Sequence, residues 1–349
     1  MNRPTLLTLL LLAALTPAHS QYSNSGSTGA DGALFFTTPG TTLFDPAAFT
    51  PPLNPAANNI FHFTSIHIGK GVVLKLSSKL LHSPVFWLAQ GPVEINGTID
   101  LDGADGAPTP ALAGAGGYPG GSPGKPGYRP GAFKSNVFLV PLFGGSGGGG
   151  GETQGGGAGG GALLIASSTS ITVNGFITAN GGASSGGTGG NGGAIRLVAR
   201  SIGGSGTLAA KGGQPGGADG LVRFEAFENQ FAGSLRSTPF VQGKPFGLFL
   251  PPDPPASVRV LSAAGAVINN GEITVHAGQS SQVLLVVEAR FIPPDTVIQM
   301  EFFMEHGTTQ VISTTPLAGT FELSHATVSA TLPPGLHHAQ VAASWKQPK

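Results

Sequence analysis

The sequence predicts an all-β chain, a parallel β-helix followed by a β-sandwich, and three observations carry that reading. A strand-corner-strand unit, "VEINGTIDLDGADG" (Val93 to Gly106), returns as "ITVNGFITANGGAS" (Ile171 to Ser184). The short strands around both copies lack the apolar spacing of an amphipathic helix. At Pro251-Pro252-Asp253-Pro254-Pro255 the composition changes, glycine thins, and alternating strands follow.

The first element is a targeting segment. Arg3 supplies a positive start, Leu6 to Leu15 an apolar stretch, and Ala18-His19-Ser20 a small-x-small cleavage site, so residues 1–20 read as a secretory signal peptide. The apolar stretch is well short of the roughly 18 residues a membrane span needs, and no later segment reaches that length. The expected mature protein is therefore secreted, extracellular or held at the cell surface, without a span of its own. It has no cysteine to cross-link it. Residues 21–58 are expected to form an N-terminal segment or cap.

Residues 59–250 carry the repeat. If Asn96-Gly97 were a two-residue hairpin turn, Ile95 would oppose Thr98 and Val93 would oppose Asp100, leaving apolar residues on both faces. A corner between two strands lets Val93, Ile95, Ile99 and Leu101 all point inward. The second copy does the same with Ile171, Val173, Ile177 and Ala179 around Asn174-Gly175. Two further copies follow, with Ser205-Gly206 and Ala232-Gly233 at the corner. Each corner is preceded by another strand, starting at Val85, Leu163, Ile195 and Val222, and "FTSIHIGKGVVLKL" (Phe63 to Leu76) fits an earlier, irregular rung. Strands that cannot bury a face alone become stable when stacked. Asn96, Asn174 and Ser205 then form one corner column, a polar ladder satisfying turn amides.

The coil with an asparagine-type corner resembles the right-handed β-helix of the pectin lyase-like superfamily. The run of signal peptide, "FTSIHIG", "VEINGTI", glycine-rich block, "ITVNGFI" and "GGAIRLVA" is similar to glycine-rich, adhesin-like secreted β-helix proteins of soil bacteria, of unassigned function. The resemblance covers roughly residues 60–249 and implies an architecture without an active site. Right-handed winding follows from it and from the usual hand of parallel crossovers.

Residues 103–161 interrupt the repeat with "GGYPGGSPGKPGYRPG" and "GGSGGGGGETQGGGAGGGA". So few side chains predict a long loop or flap, and the Gly121, Gly124, Gly127 spacing is too short for a collagen helix. Tyr118 and Tyr128 in this loop are candidate carbohydrate-stacking residues, or else pins that hold the loop to the scaffold. Residues 251–256 read as a proline-rich linker. Beyond it, seven alternating segments from "SVRVLS" to "AQVAASW" over residues 257–349 suggest an immunoglobulin-like β-sandwich.

Chemistry is sparse. Gly-x-Ser-x-Gly occurs at Gly144 to Gly148 and Gly182 to Gly186, inside glycine tracts where a hydrolase elbow has no strand and helix to sit between. The histidines are scattered, so no metal site is expected. Asp100, Asp102 and Asp105 match no calcium loop and read as a solvated strand end. Together with Glu94, Arg196 and Arg223 they form a weak polar cluster on an outer face, read as ordinary solvent-facing charge. Glu94 with Asp100 is the only carboxylate pair near enough for glycosidase chemistry. Lys+Arg and Asp+Glu number 17 each, which excludes a basic nucleic-acid surface.

The expected function is an exported, non-enzymatic structural or adhesion-type protein with no cofactor, partnered by extracellular polysaccharide or cell-surface components. A groove lined by Glu94, Asp100 and Arg196 would instead favour a carbohydrate-active β-helix enzyme. Glycan binding through Tyr118 and Tyr128 would mark a carbohydrate-binding module.

Overall fold

The computed structural model describes residues 24–54, 58–129, 136–236, 239–251, 256–268, 272–276, 281–304 and 310–343. The expected signal peptide and most of the expected linker, Pro252 to Pro255, lie outside the described residues. The described chain is all-β; its one helical element is a 3-10 turn at Pro46–Ala48, capped by the Asp45 carboxylate accepting from Ala47 N.

In chain order the first strands are β1 (Leu34–Phe36), β2 (Gly40–Leu43), β3 (Ile60–Phe63), β4 (Ile66–Ile68), β5 (Val72–Lys75), β6 (Val85–Ala89), β7 (Val93–Ile95) and β8 (Thr98–Asp100). After the glycine block come β9 (Ala162–Ser167), β10 (Ser170–Val173), β11 (Phe176–Thr178), β12 (Ala194–Gly204), β13 (Thr207–Ala209), β14 (Leu221–Phe231), β15 (Ser234–Leu235) and β16 (Phe240–Gly243). All their pairings are parallel, and each strand pairs with its counterpart one repeat away. The chain visits three ribbons in turn. The first holds β3, β6, β9, the start of β12 and of β14, and β16; the second β1, β4, β7, β10 and the far halves of β12 and β14; the third β2, β5, β8, β11, β13 and β15. The long strands β12 and β14 join the first two ribbons, and the sheets nearly close into a barrel-like shape.

Val85, Leu163, Ile195 and Val222 stand in one register column, as the repeat spacing predicts. β7 and β8 flank Asn96-Gly97 without pairing to each other, so the segment turns a corner between two sheets. Inward residues stack by type: Leu74, Ile99, Ile177 and Leu208 form one column, each with no exposed surface. Toward the N-terminal end the core becomes aromatic, with Phe44, Phe61, Phe63 and Trp87 in edge and stacked contacts. β1 and β2 pair with β4 and β5, so the stacked strands begin within residues 21–58, the expected N-terminal segment or cap.

β6 and β9 are buried on both faces, which explains the uninterrupted apolar runs "VFWLA" and "ALLIA". Their outward residues Phe86, Leu88, Leu164 and Ala166 form a second core with Leu139 and Leu142, and Leu248 and Leu250 pack against it.

The glycine block departs from the expected flap. Its described residues form a layer of extended segments hydrogen-bonded backbone to backbone. Gly145, Gly148 and Gly151 donate to the carbonyls of Gly160, Gly157 and Gln154, and Tyr118, Gly121 and Gly124 donate to those of Gly145, Gly148 and Gly151. The glycine tracts between β11 and β12 and between β13 and β14 join in, through Gly157 to Thr188 and Gly213 to Gly190. The three-residue period is that of polyproline II geometry. Side chains are excluded by contact: a Cβ on Gly157 would lie 1.9 Å from the Gly182 carbonyl oxygen, and one on Gly160 equally close to that of Ala179. Glycine density here supplies close approach and not slack, and Gly155 to Gly161 are buried throughout.

The last strands are β17 (Ser257–Ala263), β18 (Ala266–Val267), β19 (Glu272–Val275), β20 (Gln282–Arg290), β21 (Val297–Met304), β22 (Gln310–Pro316), β23 (Ala318–Gly319), β24 (Ser324–Thr331) and β25 (Gly335–Ala343). They make two antiparallel sheets, ordered β18-β17-β20-β24-β23 and β19-β25-β21-β22. A strand stands at each of the seven alternating segments. Leu285, Val287 and Ala326 from one sheet and Ile298, Met300 and Phe302 from the other share a single apolar core.

Candidate functional site

The repeated corner makes one side of the stack concave. Asn174 Nδ2 donates to Asn96 Oδ1 at 3.0 Å, and Asn174 Oδ1 accepts from Ser205 N at 3.3 Å, so the three corner residues are joined along the stack. The glycine that follows each is pressed against its neighbour: a Cβ on Gly175 would lie 1.9 Å from the Gly97 carbonyl oxygen. The glycines therefore let adjacent rungs close up at the corner. A cleft of about 600 Å³ lies at the corner, and Lys70, Asn96, Asn174, Val73, Thr98 and Phe176 are among its lining residues. Phe176 is 47% exposed. Its register partners are Thr98 and Thr207, so an aromatic ring stands where neighbouring rungs carry threonine.

The polar cluster expected from the sequence divides into separate pairs. Glu94 lies on the second ribbon, where its Oε2 meets His67 Nδ1 at 3.1 Å while the His67 ring stacks on Phe35. Asp100 lies round the corner on the third ribbon, 3.3 Å from Lys75 Nζ. Asp102 and Asp105 are not a free strand end. Asp102 accepts from the backbone and side-chain amides of Asn180, and Asp105 from Ala183 N, which ties them to the following rung. Loss of water around Asp102 raises its carboxyl above the ordinary value, against the opposing pull of those Asn180 bonds. Among the described residues no group of three or more histidine, cysteine, aspartate or glutamate side chains is placed to hold a metal ion.

Arg196 and Arg223 correct the sequence reading most sharply. They are register partners, as expected, but they are buried and not solvent-facing. Glu225 lies between them: Arg196 grips it with Nε at 2.9 Å and Nη2 at 3.1 Å, and Arg223 Nε donates to it at 2.7 Å. The Gly247 and Val137 carbonyls accept from the same two guanidiniums, and Phe138 and Phe246 lie over them. Two like charges opposed on neighbouring strands repel, and the acid two residues along the same strand face resolves the repulsion. That pattern, Arg-x-Glu beside Arg, was the available signal for Glu225. Nothing local pointed to the covering segments, which come from far along the chain. Because Arg196 is enclosed, no groove joins it to Glu94 and Asp100.

Tyr118 and Tyr128 belong to the glycine layer. Tyr118 donates its N–H to Gly145 and accepts from Gly159, and Tyr128 does the same with Pro119 and Gly147. Both residues are half-buried. Desolvation pushes the Tyr118 phenol up to about 12. Lys70 and Phe176, which wall the cleft, escaped the sequence reading because a lone lysine and a lone strand phenylalanine carry no motif.

Among the described residues no helix is long and apolar enough to cross a membrane. No protein-family model, curated protein or solved structure matches the chain.

Proposed function

We propose that the chain is an exported, non-enzymatic structural or adhesion-type protein that recognises polysaccharide outside the cell. In this reading the first sixteen strands form a right-handed parallel β-helix of the pectin lyase-like type, and the last nine an immunoglobulin-like sandwich. The rung-to-rung parallel register and the three ribbons visited in constant order support the first assignment. Two antiparallel sheets around one core support the second.

The observation that carries the functional reading is the glycine layer. Its segments pack at backbone distance along the stack, and a repeat scaffold reinforced in this way is a stiff, extended platform. The polar residues with the best claim to chemistry are spent on structure: Arg196 and Arg223 on Glu225, Asp102 and Asp105 on the next rung's amides. A glycosidase pair needs two carboxyls facing one bond, whereas Glu94 and Asp100 sit on different ribbons with their own basic partners.

The test is an insoluble-polysaccharide pull-down and glycan array with residues 21–349, followed by product analysis of every polymer bound. Binding without product release is the expected result. Release of shortened or unsaturated products would overturn the non-enzymatic reading.

A further inference from the structure

We infer that the buried cluster of Arg196, Glu225 and Arg223 is an anion site, which takes one small monovalent anion of the halide class at Arg196 Nη1. Charge balance is the first observation behind it. Two guanidiniums share the Glu225 carboxylate, and among the described residues neither forms an ion pair with another acid. Arg196 and Glu225 have no exposed surface and Arg223 is 4% exposed, so a net positive charge lies beneath the surface. A charge withdrawn from water in this way is costly unless an opposite charge and hydrogen bonds offset it.

Hydrogen bonding leads to the same atom independently. Arg196 donates from Nε and Nη2 to Glu225, and from Nη2 also to the Gly247 carbonyl; Arg223 donates from Nε to Glu225 and from Nη1 to the Val137 carbonyl. Arg196 Nη1 is buried and has no hydrogen-bond partner among the described residues. A guanidinium keeps its protons throughout the pH range of a folded protein, so an acceptor from outside the chain is what satisfies this donor.

The surroundings name the class of anion. The Phe246 ring lies over both guanidiniums and the Phe138 ring over that of Arg223. Ala194 and Val198, which flank Arg196 on the same face of β12, belong to the apolar cluster of Leu139, Leu142 and Leu164. An enclosure of rings and aliphatic side chains suits a monatomic ion, whereas each oxygen of a sulfate or carboxylate would need a donor of its own. One unbalanced positive charge calls for one negative charge. Occupancy also acts beyond the site. Phe246 and Gly247 cover the cluster, and the chain runs from them through Leu248 and Leu250, packed on the same apolar cluster, into the expected linker. An anion that completes the Arg196 donors therefore fixes where the chain leaves the stack.

The register supplies the test variant. Leu164 is the partner of Arg196 one rung back, so Arg196→Leu installs the residue already present in that column and leaves Arg223 and Glu225 as a balanced pair. Urea unfolding of residues 21–349 is followed for parent and variant at constant ionic strength, with sodium chloride replaced stepwise by sodium gluconate, whose anion is too bulky for the enclosure. The parent is expected to gain stability as chloride rises. At about ten times the dissociation constant of the ion, its folded-to-unfolded ratio should stand about elevenfold above that in gluconate. Arg196→Leu should unfold at the same midpoint in both salts. Crystals of the parent chain soaked in sodium bromide should show an anomalous-scattering peak at hydrogen-bond distance from Arg196 Nη1. A chloride response that persists in Arg196→Leu would overturn the assignment, because the effect would then arise elsewhere on the protein. So would a parent midpoint that is indifferent to chloride. If Arg196→Leu does not fold, the bromide experiment decides alone: a peak at Nη1 sustains the site and its absence overturns it.

Discussion

Gly157→Ala tests whether the glycine layer is held by close backbone contact. The added methyl would lie 1.9 Å from the Gly182 carbonyl oxygen and 2.5 Å from its carbon, so the two segments must separate by about an ångström to reach ordinary contact. Gly157 accepts from Gly148 and donates to Thr188, and the adjacent Ala158 accepts from Gly182. Separation therefore breaks or lengthens bonds to two neighbouring segments. Overpacking costs about 1–3 kcal/mol, and each lost bond adds about 1 kcal/mol. The expected loss is about 3–5 kcal/mol, a large share of the ~5–15 kcal/mol that holds a domain folded. Gly203→Ala is the control: it lies in β12 with nothing within 4 Å of its Cβ position, and there alanine should be neutral or stabilise by up to about 1 kcal/mol. Denaturant unfolding followed by Trp87 fluorescence, in a Trp345→Phe background, reports on the stack because Trp87 sits in its core. If the two alanine variants unfold at the same midpoint, the layer is loose and the close-packing argument is wrong.

Two other expectations follow from the buried charges and the phenol. Glu225→Gln leaves Arg196 and Arg223 facing each other without an anion, and the expected cost is about 3–5 kcal/mol; the same fluorescence assay should show a lowered midpoint, and an unchanged one would mean the guanidiniums find other partners. The raised Tyr118 phenol means that its neutral form is favoured in the fold. Its contribution is complete below the ordinary value of 10.0 and is lost as pH rises toward about 12. Ultraviolet titration should therefore show a tyrosinate component that ionises late and vanishes in Tyr118→Phe, whose stability should fall less across that window. A parent chain whose tyrosines all ionise near the ordinary value would refute this.

The stacked core was legible in the sequence because its causes are local. Inward residues alternate along each short strand, and a glycine marks each repeated corner, so Ile99 and Ile177 could be given matching inward positions, in the column that Leu74 and Leu208 extend. The alternation beyond residue 256 located the later strands in the same way, since each buries one face. The glycine layer was not legible. Its stability comes from peptide groups meeting between segments as far apart as Ala104 and Ala158, or Gly157 and Thr188, and peptide groups are common to every residue. The fate of Arg196 and Arg223 was hidden for a related reason. Their register was readable, but their burial depends on Val137, Phe138, Phe246 and Gly247, brought over the first ribbon from distant parts of the chain. Sequence by itself determined which side chains face inward along each strand; only the tertiary structure decided which outward faces are covered, because covering is a contact between segments whose separation in the chain leaves no periodic trace.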